Sequence, residues 1–203
     1  GLVHPERFVP NRGVYLTEPY RPDKIPVVLV HGLASDPHIW QNLATAIESD
    51  PVLGGSYQIW YFMYPTGPPV ISSSYWFRRR FAEVRQFHDP GGDDPGQRSV
   101  VLVGHSMGGI LSRLMVIDSG NAFYDAYFTK PLDALRMEAD DRAMAQAFLF
   151  FEAVTGVRRV VFVSTPHRGS DFATDPIGRL VNWLVRVPFS ALRAVLNIAT
   201  LDR

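Results

Sequence analysis

A serine with a glycine two residues away on each side lies near the middle of the chain, in the sequence Gly104-His105-Ser106-Met107-Gly108. The apolar residues 100–103 precede it, as expected of a strand buried on both faces, and a helical pattern begins at Met107. A serine at a sharp turn between strand and helix has an exposed hydroxyl, and free helix N–H groups lie beside it. The sequence therefore predicts Ser106 as a nucleophile and the Met107 N–H as an oxyanion donor. The alternative is a tight turn with a capping serine.

A second segment with chemical potential follows an earlier buried strand at residues 27–30. It reads His31-Gly32-Leu33-Ala34, and it falls at the carboxyl end of that strand, where parallel sheets bind ligands. Glycine at position 32 permits a close backbone approach. An ordinary turn after a strand is the alternative interpretation.

A third segment, residues 164–170, follows the apolar strand at 160–163 and reads Ser-Thr-Pro-His-Arg-Gly-Ser. Together with Gly-His-Ser-Met-Gly-Gly and His-Gly-Leu, it resembles the α/β-hydrolase family, in particular a bacterial lipase and esterase branch related in pattern to GPI-deacylase-like hydrolases. The resemblance implies a three-layer α/β sandwich with a mainly parallel sheet, and hydrolysis of a carboxylic ester through an acyl-enzyme on Ser106. It also implies that the Leu33 N–H is the second oxyanion donor.

The base that activates the serine is the missing part of this pattern. The family order is nucleophile, acid, histidine, and His167 is the one histidine that follows Ser106. We favour the explanation that the chain is the amino-terminal part of a longer hydrolase, poorly active alone, whose last strands, acid and histidine lie beyond Arg203. Alternatively His167 is the base, oriented by Asp171 or Asp175, or the chain is a non-catalytic binding or interaction module that retains the pocket.

Composition limits the other function classes. The 203 residues suffice for one domain, and 20 basic residues balance 20 acidic ones, so charge does not favour nucleic acid or an anionic membrane. The absence of cysteine excludes disulfides and thiolate metal sites. No apolar segment approaches the roughly 18 residues of a membrane span. We expect no cofactor or metal, and a small-molecule or lipid ester as substrate, with a missing carboxyl-terminal segment of the protein as a further partner.

The remaining patterns assign the elements around these segments. They predict an edge strand at 13–17, a helix from Asp36-Pro37 to about 49, a strand at 57–64, a helix at 74–87, a nucleophile helix at 110–118, and two helices after residue 175. Residues 119–157 interrupt the strand rhythm and contain a helical pattern at 132–153. We interpret them as a lid-like insertion, the alternative being a helix packed on the sheet.

Overall fold

Five strands form one sheet in the computed structural model, which describes residues 12–135 and 138–167. They are β1 Gly13–Leu16, β2 Ile25–Val30, β3 Tyr57–Met63, β4 Val100–His105 and β5 Val157–Val163. The strand order is β1-β3-β2-β4-β5, in which β1 pairs antiparallel with β3 and all other neighbours pair parallel. The mainly parallel sheet is therefore confirmed, with the predicted edge strand at its rim.

Helices cover both faces of this sheet, which makes three layers. They are α1 Gln41–Ser49, α2 Leu53–Ser56, α3 Val70–His88, α4 Met107–Leu114, α5 Ala122–Asp125 and α6 Ala139–Leu149. Val28, Val30 and Leu102 pack with α3 and α4 on one face. Alternate residues of the same strands, among them Leu29 and Val103, pack with α1 and the 3₁₀ turn before it on the other. Strands covered on both faces require the continuous apolar runs that the sequence contains.

Several helix boundaries differ from those expected. Helix α3 begins four residues before Ser74, since Val70 and Ile71 are buried against the core. Helix α4 is complete at Leu114, short of the expected 118. The helix expected from Asp36 starts as a 3₁₀ turn at Pro37–Trp40, capped by the Asp36 carboxylate. The two helices expected after residue 175 lie outside the described residues.

The insertion at 119–157 packs mainly on α3. Its own apolar cluster includes Tyr124, Phe128 and Phe148 and reaches Ile71 in the first turn of α3. The prediction of a single helix over 132–153 is wrong. A 3₁₀ turn at Leu132–Ala134 precedes α6, and Arg142 donates to the carbonyl oxygens of Leu132 and Leu135.

None of the helices in residues 12–135 and 138–167 has the length and apolar character needed to span a membrane.

Candidate active site

Ser106 occupies the sharp turn between β4 and α4. Its backbone has φ 51° and ψ −119°, and its N–H donates to the carbonyl oxygen of Val163 on β5 (2.9 Å). A non-glycine residue with such angles is strained, and strained residues cluster at functional sites. The described residues contain two other non-glycine residues with positive φ, Ala34 and Ser164, which follow β2 and β5. All three therefore lie at the carboxyl edge of the sheet.

Two glycines beside Ser106 let the strand and the helix approach each other. A Cβ atom on Gly104 would lie 2.5 Å from the Cα of Gly109, and one on Gly108 would collide with the carbonyl oxygens of Val30 and His31. The first turn of α4 is thus in backbone contact with the end of β2. The approach of α4 to β4 explains the glycine at position 104, and its approach to β2 explains the glycine at position 108.

The His31–Ala34 loop runs next to the nucleophile. A Cβ atom on Gly32 would lie 3.2 Å from the Cβ of Ser106 and 2.9 Å from the Nδ1 of His105. Given ordinary bond lengths, the Leu33 amide nitrogen then lies no more than about 7 Å from the Cβ of Ser106. The structure thus brings together two segments that were predicted to be functional, the loop 31–34 after β2 and the turn at Ser106 after the neighbouring strand β4.

The His31 side chain fixes the peptide that contains the Leu33 N–H. Its ring is buried, and Nδ1–H donates to the carbonyl oxygen of Gly32 (3.0 Å), the carbonyl of that same peptide. Burial lowers the pKa of His31 and so favours the neutral ring. Because a carbonyl can only accept, the neutral ring must carry its proton on Nδ1. In a planar trans peptide, fixing the carbonyl also fixes the direction of the N–H.

Sequence reasoning missed two residues that contact this loop, Tyr64 and Thr66, which follow β3. The Tyr64 hydroxyl donates to the carbonyl oxygen of His31 (2.7 Å), and the Ala34 N–H donates to Thr66 Oγ1 (3.3 Å). Only their place after a buried strand could have pointed to them, because the third strand end meets the same edge of the sheet.

The segment after β5 packs against the turn at Ser106. Thr165 leaves no room for a side chain on Gly109, and its hydroxyl donates to the carbonyl oxygen of Gly104 (3.4 Å). The exposed ring of His167 makes an edge contact with Phe162, 4.4 Å between ring centroids.

No described residue supplies the predicted base to the nucleophile. Within residues 12–135 and 138–167, no hydrogen bond joins Ser106 Oγ to a histidine, and no cluster of three or more His, Cys, Asp and Glu side chains could hold a metal ion. Asp171 and Asp175, the acids considered with His167, lie outside the described residues. The described site therefore consists of a strained serine and a loop that approaches it.

A comparison with known protein families finds a match around the turn at Ser106. The PGAP1-like alpha/beta domain family matches residues 71–124, which include nearly all of α3, strand β4, the turn at Ser106 and helix α4. The described residues have the three-layer α/β architecture with a mainly parallel sheet that the sequence resemblance implied. The resemblance noted in the sequence is thereby confirmed for the fold, and a search of curated protein sequences finds no match.

Solved structures similar to this chain include lipases and esterases. The mature lipase BlEst2 of Bacillus licheniformis is 19% identical, with 91% of this chain and 65% of that chain covered and a TM-score of 0.48. Esterase B from Lactobacillus rhamnosis, inhibited by a tributyrin phosphonate, is 14% identical. The match covers 93% of this chain and 56% of that chain, with a TM-score of 0.49. The esterase Est2 of Thermogutta terrifontis, with propionate bound, is 14% identical. The match covers 85% of this chain and 56% of that chain, with a TM-score of 0.47. The chain thus spans less than two thirds of the length of each.

Proposed function

We propose that the protein is a serine hydrolase that cleaves carboxylic esters through an acyl-enzyme on Ser106. The observation that supports this most is the strained backbone of Ser106, at φ 51° and ψ −119°, between a buried strand and a helix N-terminus. Such strain persists only when the surrounding structure imposes it, and here two strands and a helix do so. It keeps the hydroxyl at the carboxyl edge of the sheet, where substrates reach parallel sheets.

The reaction we propose has two steps. Ser106 Oγ attacks the ester carbonyl while a base takes the hydroxyl proton, and the tetrahedral oxyanion accepts hydrogen bonds from the N–H groups of Met107 and Leu33. The C–O bond to the alcohol then breaks, and the alcohol leaves with the proton. Water repeats the sequence on the acyl-enzyme and releases the acid. Each oxyanion donor contributes about 2.7 to 4 kcal/mol to such a transition state.

For the base we propose a histidine outside the described residues. The contact of His167 with Phe162, and the lack of a described hydrogen bond from Ser106, do not favour His167. His167→Ala should accordingly change stability more than turnover. If His167→Ala removed turnover as completely as Ser106→Ala does, in a protein that still folds, the base would be His167 instead.

We propose an ester with an apolar acyl chain as the substrate class, and the insertion as a lid. Helix α3 starts after the carboxyl end of β3, so its first turn lies at the same edge of the sheet as Ser106. The insertion packs against that turn through Ile71, and its cluster is rich in aromatic rings, including Tyr124, Phe128 and Phe148. An apolar segment at this edge of the sheet suits a hydrocarbon better than a peptide or a sugar.

Hydrolysis of p-nitrophenyl esters by the protein expressed from its whole reading frame tests the assignment. Ser106→Ala should abolish turnover, whereas Ser56→Ala, which removes an exposed hydroxyl on α2, should leave turnover unchanged. A series of acyl chain lengths should show higher kcat/KM for longer apolar chains. Turnover that survives Ser106→Ala would refute the assignment, and tight fatty-acid binding by a folded protein without turnover would favour a binding module.

A further inference from the structure

Two hydrogen bonds attach the end of β3 to the loop that follows β2. One runs from the Tyr64 hydroxyl to the His31 carbonyl oxygen (2.7 Å), and the other from the Ala34 N–H to Thr66 Oγ1 (3.3 Å). Both partners on the β3 side are buried. The residues after β3 therefore hold the loop on both sides of Leu33, through His31 before it and Ala34 after it.

The ring of Tyr64 is itself fixed on both sides. It stacks on the His31 imidazole at 4.4 Å between centroids and on Phe62 at 5.1 Å, and Phe62 stacks in turn on Phe77 of α3 at 4.1 Å. The hydroxyl consequently reaches the loop from a side chain anchored in the main core. Burial also raises the pKa of Tyr64, so the hydroxyl keeps the proton that it donates.

Thr66 acts on the other end of the loop, where the backbone is strained. Ala34 has φ 53°, a conformation that costs a non-glycine residue energy and needs a compensating contact. The hydrogen bond from its N–H to Thr66 is a described side-chain contact that holds this turn. Without it, the turn could relax toward negative φ and move the adjacent Leu33 amide.

We propose that Tyr64 and Thr66 are positioning residues that hold the Leu33 N–H where the oxyanion forms. The inference rests on the proposed function, because it presumes that Leu33 donates to a tetrahedral intermediate at Ser106. Both side chains are buried, and each acts through its hydrogen bond to the loop backbone. Misplacement of a reacting group by about 1 Å can cost about 100-fold in rate, so small shifts of the loop are sufficient.

Isosteric substitutions separate this positioning from packing. Tyr64→Phe and Thr66→Val remove the hydrogen bonds but retain the volume, and we expect each to lower kcat for p-nitrophenyl ester hydrolysis by about 10- to 100-fold. KM should stay within about twofold, since only the transition state loses an interaction. Thr66→Ser keeps the acceptor and should restore most of kcat. Tyr20→Phe is the matched control, because it removes a tyrosyl hydrogen bond to Asp94, before the amino end of β4, and should leave kcat unchanged.

Amide hydrogen exchange at Ala34 gives a readout that does not depend on turnover. Thr66→Val should speed exchange of this amide, and Thr66→Ser should not. Unchanged exchange in Thr66→Val together with unchanged kcat in both isosteric variants would overturn the positioning role. Turnover that survives Ser106→Ala would instead overturn the proposed function on which this role rests, even if the exchange of Ala34 responds as expected.

Discussion

Replacing Ser106 with glycine should make the fold more stable than replacing it with alanine, although both variants lose turnover. The φ of 51° and ψ of −119° strain any residue that has a Cβ atom, at a cost of about 1 to 3 kcal/mol. Glycine relieves this strain, but it gives the unfolded chain more freedom, which costs about 0.5 to 1 kcal/mol relative to alanine. The balance predicts that Ser106→Gly is more stable than Ser106→Ala by about 1 kcal/mol.

An alanine-to-glycine change in regular helix supplies the matched control. Ala46 is exposed in the interior of α1, where Ala46→Gly should cost about 1 kcal/mol. The change from alanine to glycine should therefore lower the free energy of unfolding at position 46 and raise it at position 106. A general effect of glycine on folding could not produce opposite signs.

Urea unfolding and calorimetry measure these differences. In a chain of this size, 1 kcal/mol corresponds to about 2 to 4 °C in Tm. If Ser106→Gly is less stable than Ser106→Ala by as much as the control variant loses, the backbone at Ser106 is not strained. The structural argument for a nucleophile at this turn would then fail.

Two further predictions concern the surroundings of the nucleophile. Gly108→Ala should lower the free energy of unfolding in urea by at least about 2 kcal/mol, because the new methyl group meets the carbonyl oxygens of Val30 and His31. Gly55→Ala is the control and should not destabilise the protein, because the space around Gly55 is open. Equal effects of the two variants would contradict the packing described. Burial lowers the pKa of His31, so the unfolded state binds more protons and stability should fall as the pH drops below about 6.5. His31→Gln should flatten this part of the pH dependence of unfolding, and an unchanged slope would show that His31 does not contribute to it.

The sheet and the turn at Ser106 could be predicted because contiguous residues encode them. A run of apolar residues, two glycines around one serine and a helical pattern specify strand, turn and helix without any distant contact. The proximity of Gly32 followed from one further rule, that parallel strands end at the same edge of a sheet.

The contacts of Tyr64 and Thr66 could not be predicted in this way. Each joins residues more than 30 positions apart, and they depend on β3 lying beside β2, which no local pattern specifies. The start of α3 was missed for a related reason. The serines 72–74 are weak helix formers on their own, yet burial of Val70 and Ile71 brings them into the helix. Tertiary packing outweighs local preference at both places.

Covalent labelling of Ser106 tests the central claim most directly. A fluorophosphonate reacts with a serine that a base has activated, and peptide mapping by mass spectrometry identifies the modified residue. The protein expressed from its whole reading frame should carry one adduct, on Ser106, and Ser106→Ala should carry none. A folded protein that remains unlabelled at Ser106, or that is labelled at another serine while it turns over esters, would contradict the assignment of Ser106 as the nucleophile.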